Sequence, residues 1–572
     1  MIVPHNPLLI AFSRKMIMFF VMIAFGLPVL LGICGVMLPA MGYFPALGFE
    51  QLSFGPARQF LETPGIVAAG WLSVKTGILA TALSLVCCFV ILIGVTNSRA
   101  LPLIRRWLGP LVAVPHSAMA IGLVFLLAPS GWLMRLLSPA VTGFEQPPDW
   151  SLVPDPHGWL LVFGLMAKEI PFLVIVSLGA IATLPTLKLQ HIGNSLGYSR
   201  LAAWGVLILP LVYRQIRLPV VAVLVFSLSV VDMALLLAPS LPPPLAILVL
   251  HGFLDADLAA RLPASVGALV QIGIGIGGVA IWLLVEFLFS CLTNTMRRRG
   301  WRLGIADKLL PLLVGAAFVP LVAASAGLGA AFLWSVAGSW FFPNAFPQKL
   351  HFLHWQDYAG YLPLFKNSVW LAGAATFSAI FVVLLWLYTA PRHALPTKWL
   401  VGMLYLPFFI PQISFLLGMQ ISLSRFGLDG TWLAVIWAHV IFILPYIWFI
   451  LAPAHRALDT RFDDIAATLG AAPWQRFWRL HLPLMAYPLG AAVFIGMSVS
   501  VALYLPTLFV GSGRINSITV EAVSLAAGGS RGPAGVAAML QIAIPLLSLT
   551  LIHLALRWRF SRFSGMHSGG LQ

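Results

Sequence analysis

Apolar residues run almost without interruption for about 20 residues or more at a time, and short polar stretches separate the runs. The runs fall near residues 16–39, 66–95, 107–129, 158–183, 216–238 and 264–290, and then 309–341, 367–390, 401–424, 432–453, 486–511 and 533–556. Each is long enough to cross a bilayer as an α-helix. The pattern therefore predicts an all-α polytopic membrane protein of about twelve transmembrane helices. The runs are continuous, whereas barrel strands would show polar and apolar positions alternating over about ten residues, so helices are expected.

Composition agrees. The chain has 572 residues, 60% hydrophobic and 9% charged, against roughly 25% charged in a soluble domain. Its formal charge of +16 does not point to nucleic acid, because Lys and Arg sit in short clusters between the apolar runs. With the N-terminus placed inside, most of them fall in inside loops, so both termini are expected in the cytoplasm. Arg14 and Lys15 precede a first run too long for a signal-peptide core, which reads as an uncleaved first span. Cys34, Cys87, Cys88 and Cys291 all lie in apolar runs without metal-ligand spacing, so no disulfide framework, zinc site or other metal site is expected.

The densest cationic cluster, Arg297 to Lys308, follows the sixth run and reads as a cytoplasmic linker (297–308) between a first domain (1–296) and a second (309–572). Six spans per half is an even number, so a repeat across this seam is parallel, not inverted. One is visible in the loop after the fourth run of each half. A shift of 273 residues superposes Ile192 on Ile465, Leu196 on Leu469, Gly197 on Gly470, Leu209 on Leu482, Pro210 on Pro483 and Leu211 on Leu484.

Phe462, Ile465, Ala466 and Leu469 recur at helical spacing and form one apolar stripe, which Leu189, Ile192 and Leu196 repeat. Asp459 or Thr460 can cap that helix, Asp463 and Asp464 suit its N-terminal end, and Gly470 can end it in the left-handed conformation. Pro473 can start a second short helix, and Pro210 and Pro483 are expected to break the chain before the next span. The result is an elbow with an apolar edge at the membrane surface, present once in each half. Such an edge calls for a partner.

These loops resemble the EAA motif of binding-protein-dependent ABC importer permeases, roughly Glu-Ala-Ala, three residues, Gly, nine residues, Ile, one residue, Leu-Pro. Gly197 to Pro210 and Gly470 to Pro483 keep its spacing. The second copy has Asp464 and Ala466 where the motif is acidic and small, and the first has His191 and Gly193. The resemblance covers the whole chain and looks most like the fused permeases of iron(III) and thiamine importers and their relatives. It implies a bacterial inner-membrane subunit whose two loops are coupling helices for two cytosolic ATPase subunits. It also implies a separate periplasmic or lipid-anchored solute-binding protein.

No GxxxxGK[ST] loop surrounds any lysine, and no cofactor motif appears, so ATP hydrolysis is expected on another chain. Charges inside spans are few. Lys168 and Glu169, being adjacent, are expected to pair with neighbouring helices, and Glu286 is expected to face Arg297 or Arg298. Asp232, in the outer half of the fifth run, is the pathway candidate, with Ser498, Ser500 and Tyr504 in the matching region of the second half. His351 and His354 read as a surface pair. A secondary transporter of two six-span halves driven by an ion gradient shares the span count but leaves the elbows unexplained.

Overall fold

The computed structural model describes residues 25–96, 98–150, 153, 155–300, 306–389 and 398–561. Among them no β-strand forms, only two isolated bridges. The main helices of the first half are α1 (Phe25–Ala40), α2 (Ile66–Val95), α3 (Leu101–Ala113), α4 (His116–Leu127), α5 (Trp159–Ala182), α6 (Thr186–Ser195), α7 (Arg200–Ala203), α8 (Leu209–Ser229), α9 (Leu245–Leu254) and α10 (Arg261–Arg299). Those of the second half are α11 (Ala306–Val336), α12 (Tyr358–Thr389), α13 (Lys398–Phe409), α14 (Ile413–Arg425), α15 (Trp432–Arg456), α16 (Thr460–Thr468), α17 (Pro473–Arg476), α18 (Ala486–Ala502), α19 (Leu505–Gly511), α20 (Ile518–Ala527) and α21 (Arg531–Phe560).

Among the described residues nine helical stretches are long and apolar enough to cross a membrane, or eleven if two bent pairs each count as one span. The protein is thus a polytopic all-α membrane protein, but twelve spans are not reached by this criterion. α1 is the described part of the first expected span and is short; residues 16–24 lie outside the described residues. The seam is described on both sides but not at 301–305.

Features of the two halves recur at the offset found in the loop sequence. α5 and α15 begin at Trp159 and Trp432, and α7 and α17 begin at Arg200 and Pro473. Single π-helical turns follow at Trp204–Ile208 and Phe477–His481. The next helices stop at the extended residues Val230 and Leu503, and α9 and α20 match end to end. Each of these pairs is 273 residues apart. Ser73 Oγ accepts the first N–H of α9 at 2.9 Å, and Ser368 Oγ does the same for α20 at 2.8 Å.

The halves interlock through their first helices. α11 packs along α4 of the first half, and a Cβ placed on Gly122 would stand 2.7 Å from the Gly327 carbonyl carbon. α1 meets α14 in the same way, since a Cβ on Gly418 would lie 1.9 Å from the Gly32 carbonyl oxygen. Only glycines permit backbones to approach this closely. Polar contacts cross the same boundary: Gln541 Nε2 donates to Ser117 Oγ at 2.7 Å, and Ser414 Oγ donates to the Ala268 carbonyl at 2.7 Å.

Several expected spans are interrupted. The 107–129 run is two helices, α3 and α4, separated at Val114 and Pro115. Pro115 has no N–H, and the break frees carbonyls that find no water in hydrocarbon. Lys168 reaches them from α5, its Nζ donating to the Val112 and Val114 carbonyls at 2.7 and 2.5 Å. The 401–424 run bends by 108° between α13 and α14.

The runs 216–238 and 486–511 break at Val230–Met233 and at Leu503–Tyr504. The matching carbonyls Leu228 and Val501 are both satisfied by side chains, the first from α10 and the second from α20 with support from α21. Gln271 Nε2 donates to Leu228 O at 3.0 Å; Thr519 Oγ1 donates to Val501 O and accepts from Gln541 Nε2 at 2.9 Å. Pro483 precedes a 74° bend, whereas Pro210 does not break its helix as expected, since the π turn before it runs on into α8.

Replacing Lys168 with Met should leave two carbonyls unsatisfied in the membrane and cost about 2 kcal/mol. The expected outcome is a clearly lowered melting temperature of the detergent-purified protein. An unchanged melt would show that Lys168 does not support the break.

Candidate functional site

Two regions stand out: the paired elbows and the charged centre between the broken helices. In the first elbow α6 ends at Gly197, whose φ of +77° only glycine adopts cheaply. In the second, Asp459 caps α16 by accepting the Arg461 N–H at 2.9 Å, and Gly470 ends it with φ +80°. The expected stripes face outward. Ile192 and Leu196 are 53% and 55% exposed, and Ile465 and Leu469 are 56% and 81% exposed. Trp474 and Trp478 extend the second apolar edge. His191 and Asp464 are exposed at corresponding positions, Ala466 is half-buried, and Leu209, Pro210, Leu482 and Pro483 are half-buried at the entry to the next helices.

The elbows differ inside. Gly193 of α6 is buried against α7, and a Cβ there would stand 2.7 Å from the Ala203 Cβ, so this departure from an alanine allows the two short helices to touch. In the second elbow the corresponding positions are Ala466 and Arg476, and a polar cluster does the holding. Asp463 Oδ1 contacts Arg476 Nη1 at 3.4 Å and His481 Nε2 at 3.1 Å.

At the centre, Asp232 is buried in the α8 break and accepts the Met233 N–H. His116, Lys168 and Tyr504 lie within its electrostatic reach. His116 Nε2 is 3.4 Å from Glu169 Oε1, and its ring lies on Phe226 at 4.6 Å. Glu169 in turn acts on Tyr446 of α15. The structure therefore brings Asp232 and Tyr504, from different halves, to one centre, together with Lys168 and Glu169.

Ser498 and Ser500 are placed otherwise. Ser498 Oγ donates to Phe494 O in its own helix at 2.7 Å. Ser500 is buried against His439, with Oγ 2.8 Å from Nδ1. His439 Nε2 lies 3.0 Å from Thr507 Oγ1, whose own hydrogen goes to the Leu503 carbonyl, so Nε2 carries the ring proton and Ser500 donates to Nδ1. His439 thus braces α18 to α19 across the break. Glu286 does not face Arg297 or Arg298; it pairs with Arg217 Nη2 at 2.7 Å and accepts from the Tyr213 hydroxyl, while Arg297 is engaged with the Val206 carbonyl.

His116, Tyr446, His439, Gln271 and Gln541 escaped the sequence reading because none carries an obligatory charge. The available signal was a polar residue near a proline or helix break inside an apolar run. Among the described residues no group of three or more His, Cys, Asp or Glu could hold a metal.

Residues 392–562 match the family model described as binding-protein-dependent transport system inner membrane component. Over 524 residues the chain is 29% identical to the inner membrane ABC transporter permease protein YnjC of Escherichia coli (strain K12), covering 88% of this chain and 93% of that protein. It is 25% identical over 163 residues to the putative 2-aminoethylphosphonate transport system permease protein PhnV of Salmonella choleraesuis, 28% of this chain and 62% of the relative. A probable sulfate transport system permease protein, cysT of Zygnema circumcarinatum, is 29% identical over 96 residues, 17% of this chain and 31% of its own. The loop motif, the membrane-spanning all-α fold and these matches agree in making the chain similar to the inner-membrane permeases of binding-protein-dependent ABC transport systems.

Proposed function

We propose that the chain forms the whole translocation pathway of an importer, two six-helix permease domains (1–296 and 309–572) joined by the linker 297–308, with both termini cytoplasmic. Its two elbows dock separate ATPase subunits, one each, and a periplasmic or lipid-anchored binding protein delivers the solute. ATP-driven closure of the ATPases moves the elbows, and the broken helices between them reorient the central charged site.

One observation carries this reading. The same exposed apolar elbow stands at the same place in both halves, at an offset that the surrounding helices also keep. An apolar edge on short polar loops buries nothing within the chain, and a partner surface accounts for it.

The cargo in this reading is a small solute with a cationic group that meets Asp232, such as a thiamine-like compound or iron(III). Relatives named for 2-aminoethylphosphonate and sulfate widen the range to oxyanions. Lys168 near Asp232 gives the centre charges of both signs, so a solute carrying both charges also fits.

Two experiments test the proposal. In the first, the chain is purified from its native membrane in mild detergent, with and without Leu196→Glu and Leu469→Glu. Both side chains are exposed, so the double variant should fold and melt as the parent does. An ATPase should accompany the parent and be lost from the variant; its absence from the parent would overturn the docking reading and direct attention to gradient-driven transport. In the second, cells that depend on the transporter for the solute of the neighbouring binding protein carry Asp232→Asn. Uptake should fall about tenfold or more, as expected for loss of one buried charge contact, with the melt unchanged. Full uptake would remove Asp232 from the pathway.

A further inference from the structure

We propose that Asp307 and Arg297, on either side of the seam, are positioning residues that clamp the first elbow between the two halves. The consequence for coupling rests on the docking reading above; the clamp is read independently of it.

Asp307 stands in the first turn of α11, in the second half, yet its carboxylate caps α7 in the first. Its Oδ2 accepts the Arg200 N–H at 2.7 Å and its Oδ1 accepts the Leu201 N–H at 2.9 Å. Ser199 Oγ accepts the Ala202 N–H at 3.2 Å, and the Ser199 carbonyl accepts that of Ala203 at 2.8 Å. All four N–H groups of this short helix are therefore accounted for, two of them by a residue more than a hundred positions away.

Arg297, near the end of α10, serves the other side of the elbow. Its Nε donates to the Val206 carbonyl at 3.0 Å, and its Nη2 donates to the same oxygen. In an α-helix that carbonyl would bond the N–H four residues on, and residue 210 is a proline without one. The guanidinium supplies donors to that carbonyl, and Arg200–Ser229 forms one continuous helical stretch.

The second elbow meets the same two problems differently. Pro473 stands where Arg200 does, so the first of the two N–H groups is absent, and Gln475 Oε1 accepts the Ala472 N–H at 2.9 Å. Asp463, Arg476 and His481 hold the loop from within. After Pro483 the chain bends by 74°. The first elbow is seated on α10 and α11, whereas the second has its own Asp463 cluster and packs Phe477 and His481 on Tyr388 of α12. Because α11 packs on α2, α4 and α5 of the first half and on α21 of the second, a push on the first elbow reaches both halves at once.

The test uses the full permease purified with whichever ATPase accompanies it, read by hydrogen exchange of the segment 198–208 and by native mass spectrometry. Asp307→Ala should speed exchange there by about five- to tenfold, the loss of a helix cap, and leave 471–484 unchanged. ATPase occupancy should fall from two to one. Adding Arg200→Pro, which like Pro473 in the second elbow removes one of the two N–H groups that Asp307 caps, should restore slow exchange and ATPase occupancy in part; a merely destabilised protein would not be rescued so. Should Asp307→Ala fail to fold, Asp307→Asn, which keeps one accepting oxygen, should give an intermediate exchange rate. Unchanged exchange in the Ala or Asn variant, or an Ala variant that Arg200→Pro does not restore even in part, overturns the proposal. Exchange needs no ATPase, so a parent without a bound ATPase counts against docking and leaves the clamp measurable.

Discussion

A bilayer offers no water to a backbone N–H or carbonyl, so every interruption of a membrane helix must be repaired from another part of the protein. This constraint accounts for several of the buried polar residues among those described. Lys168 serves the carbonyls at the α3–α4 break, Gln271 serves Leu228, and Thr519 backed by Gln541 serves Val501. His439 bridges Ser500 and Thr507 across the second-half break. The breaks in turn give the fold its function, because a continuous helix would leave neither a charged centre in mid-membrane nor a point at which a span can change direction.

Repair also explains why two halves built on one plan differ in sequence. The Leu228 and Val501 carbonyls occupy matching places, yet one receives a Gln amide from α10 directly and the other a Thr hydroxyl from α20 that a Gln of α21 backs. At the elbows, Gly193 lets two short helices touch where Asp463, Arg476 and His481 form a polar cluster in the other copy. Equivalent geometry is reached by unequal chemistry, and in the loops sequence identity between the halves survives at Gly197 and Gly470, at Pro210 and Pro483, and at the apolar positions around them.

Those demands determine what was legible beforehand. Long apolar runs announce membrane helices, and the left-handed glycines with the Leu-Pro steps marked both elbows, because each of those features is local. The α3–α4 break and the bent 401–424 span were not visible, since prolines inside apolar runs are common and only tertiary contacts decide which one stops a helix. The partner of Glu286 was misjudged for a related reason: Arg297 lies nearer in sequence but is drawn to the carbonyl that Pro210 leaves free, and Arg217 takes its place. Asp232 was found from its charge, while His116 beside it carried no comparable sign.

The central claim is that both elbows are seats for ATPases. A photo-crosslinking residue placed at Ile192, and in a second protein at Ile465, would test it in the native membrane, with the captured chain identified by sequencing. The account predicts that both positions capture the same nucleotide-binding protein, one with a phosphate-binding GxxxxGK[ST] loop. Crosslinks from either position to lipid or to this chain alone would contradict it.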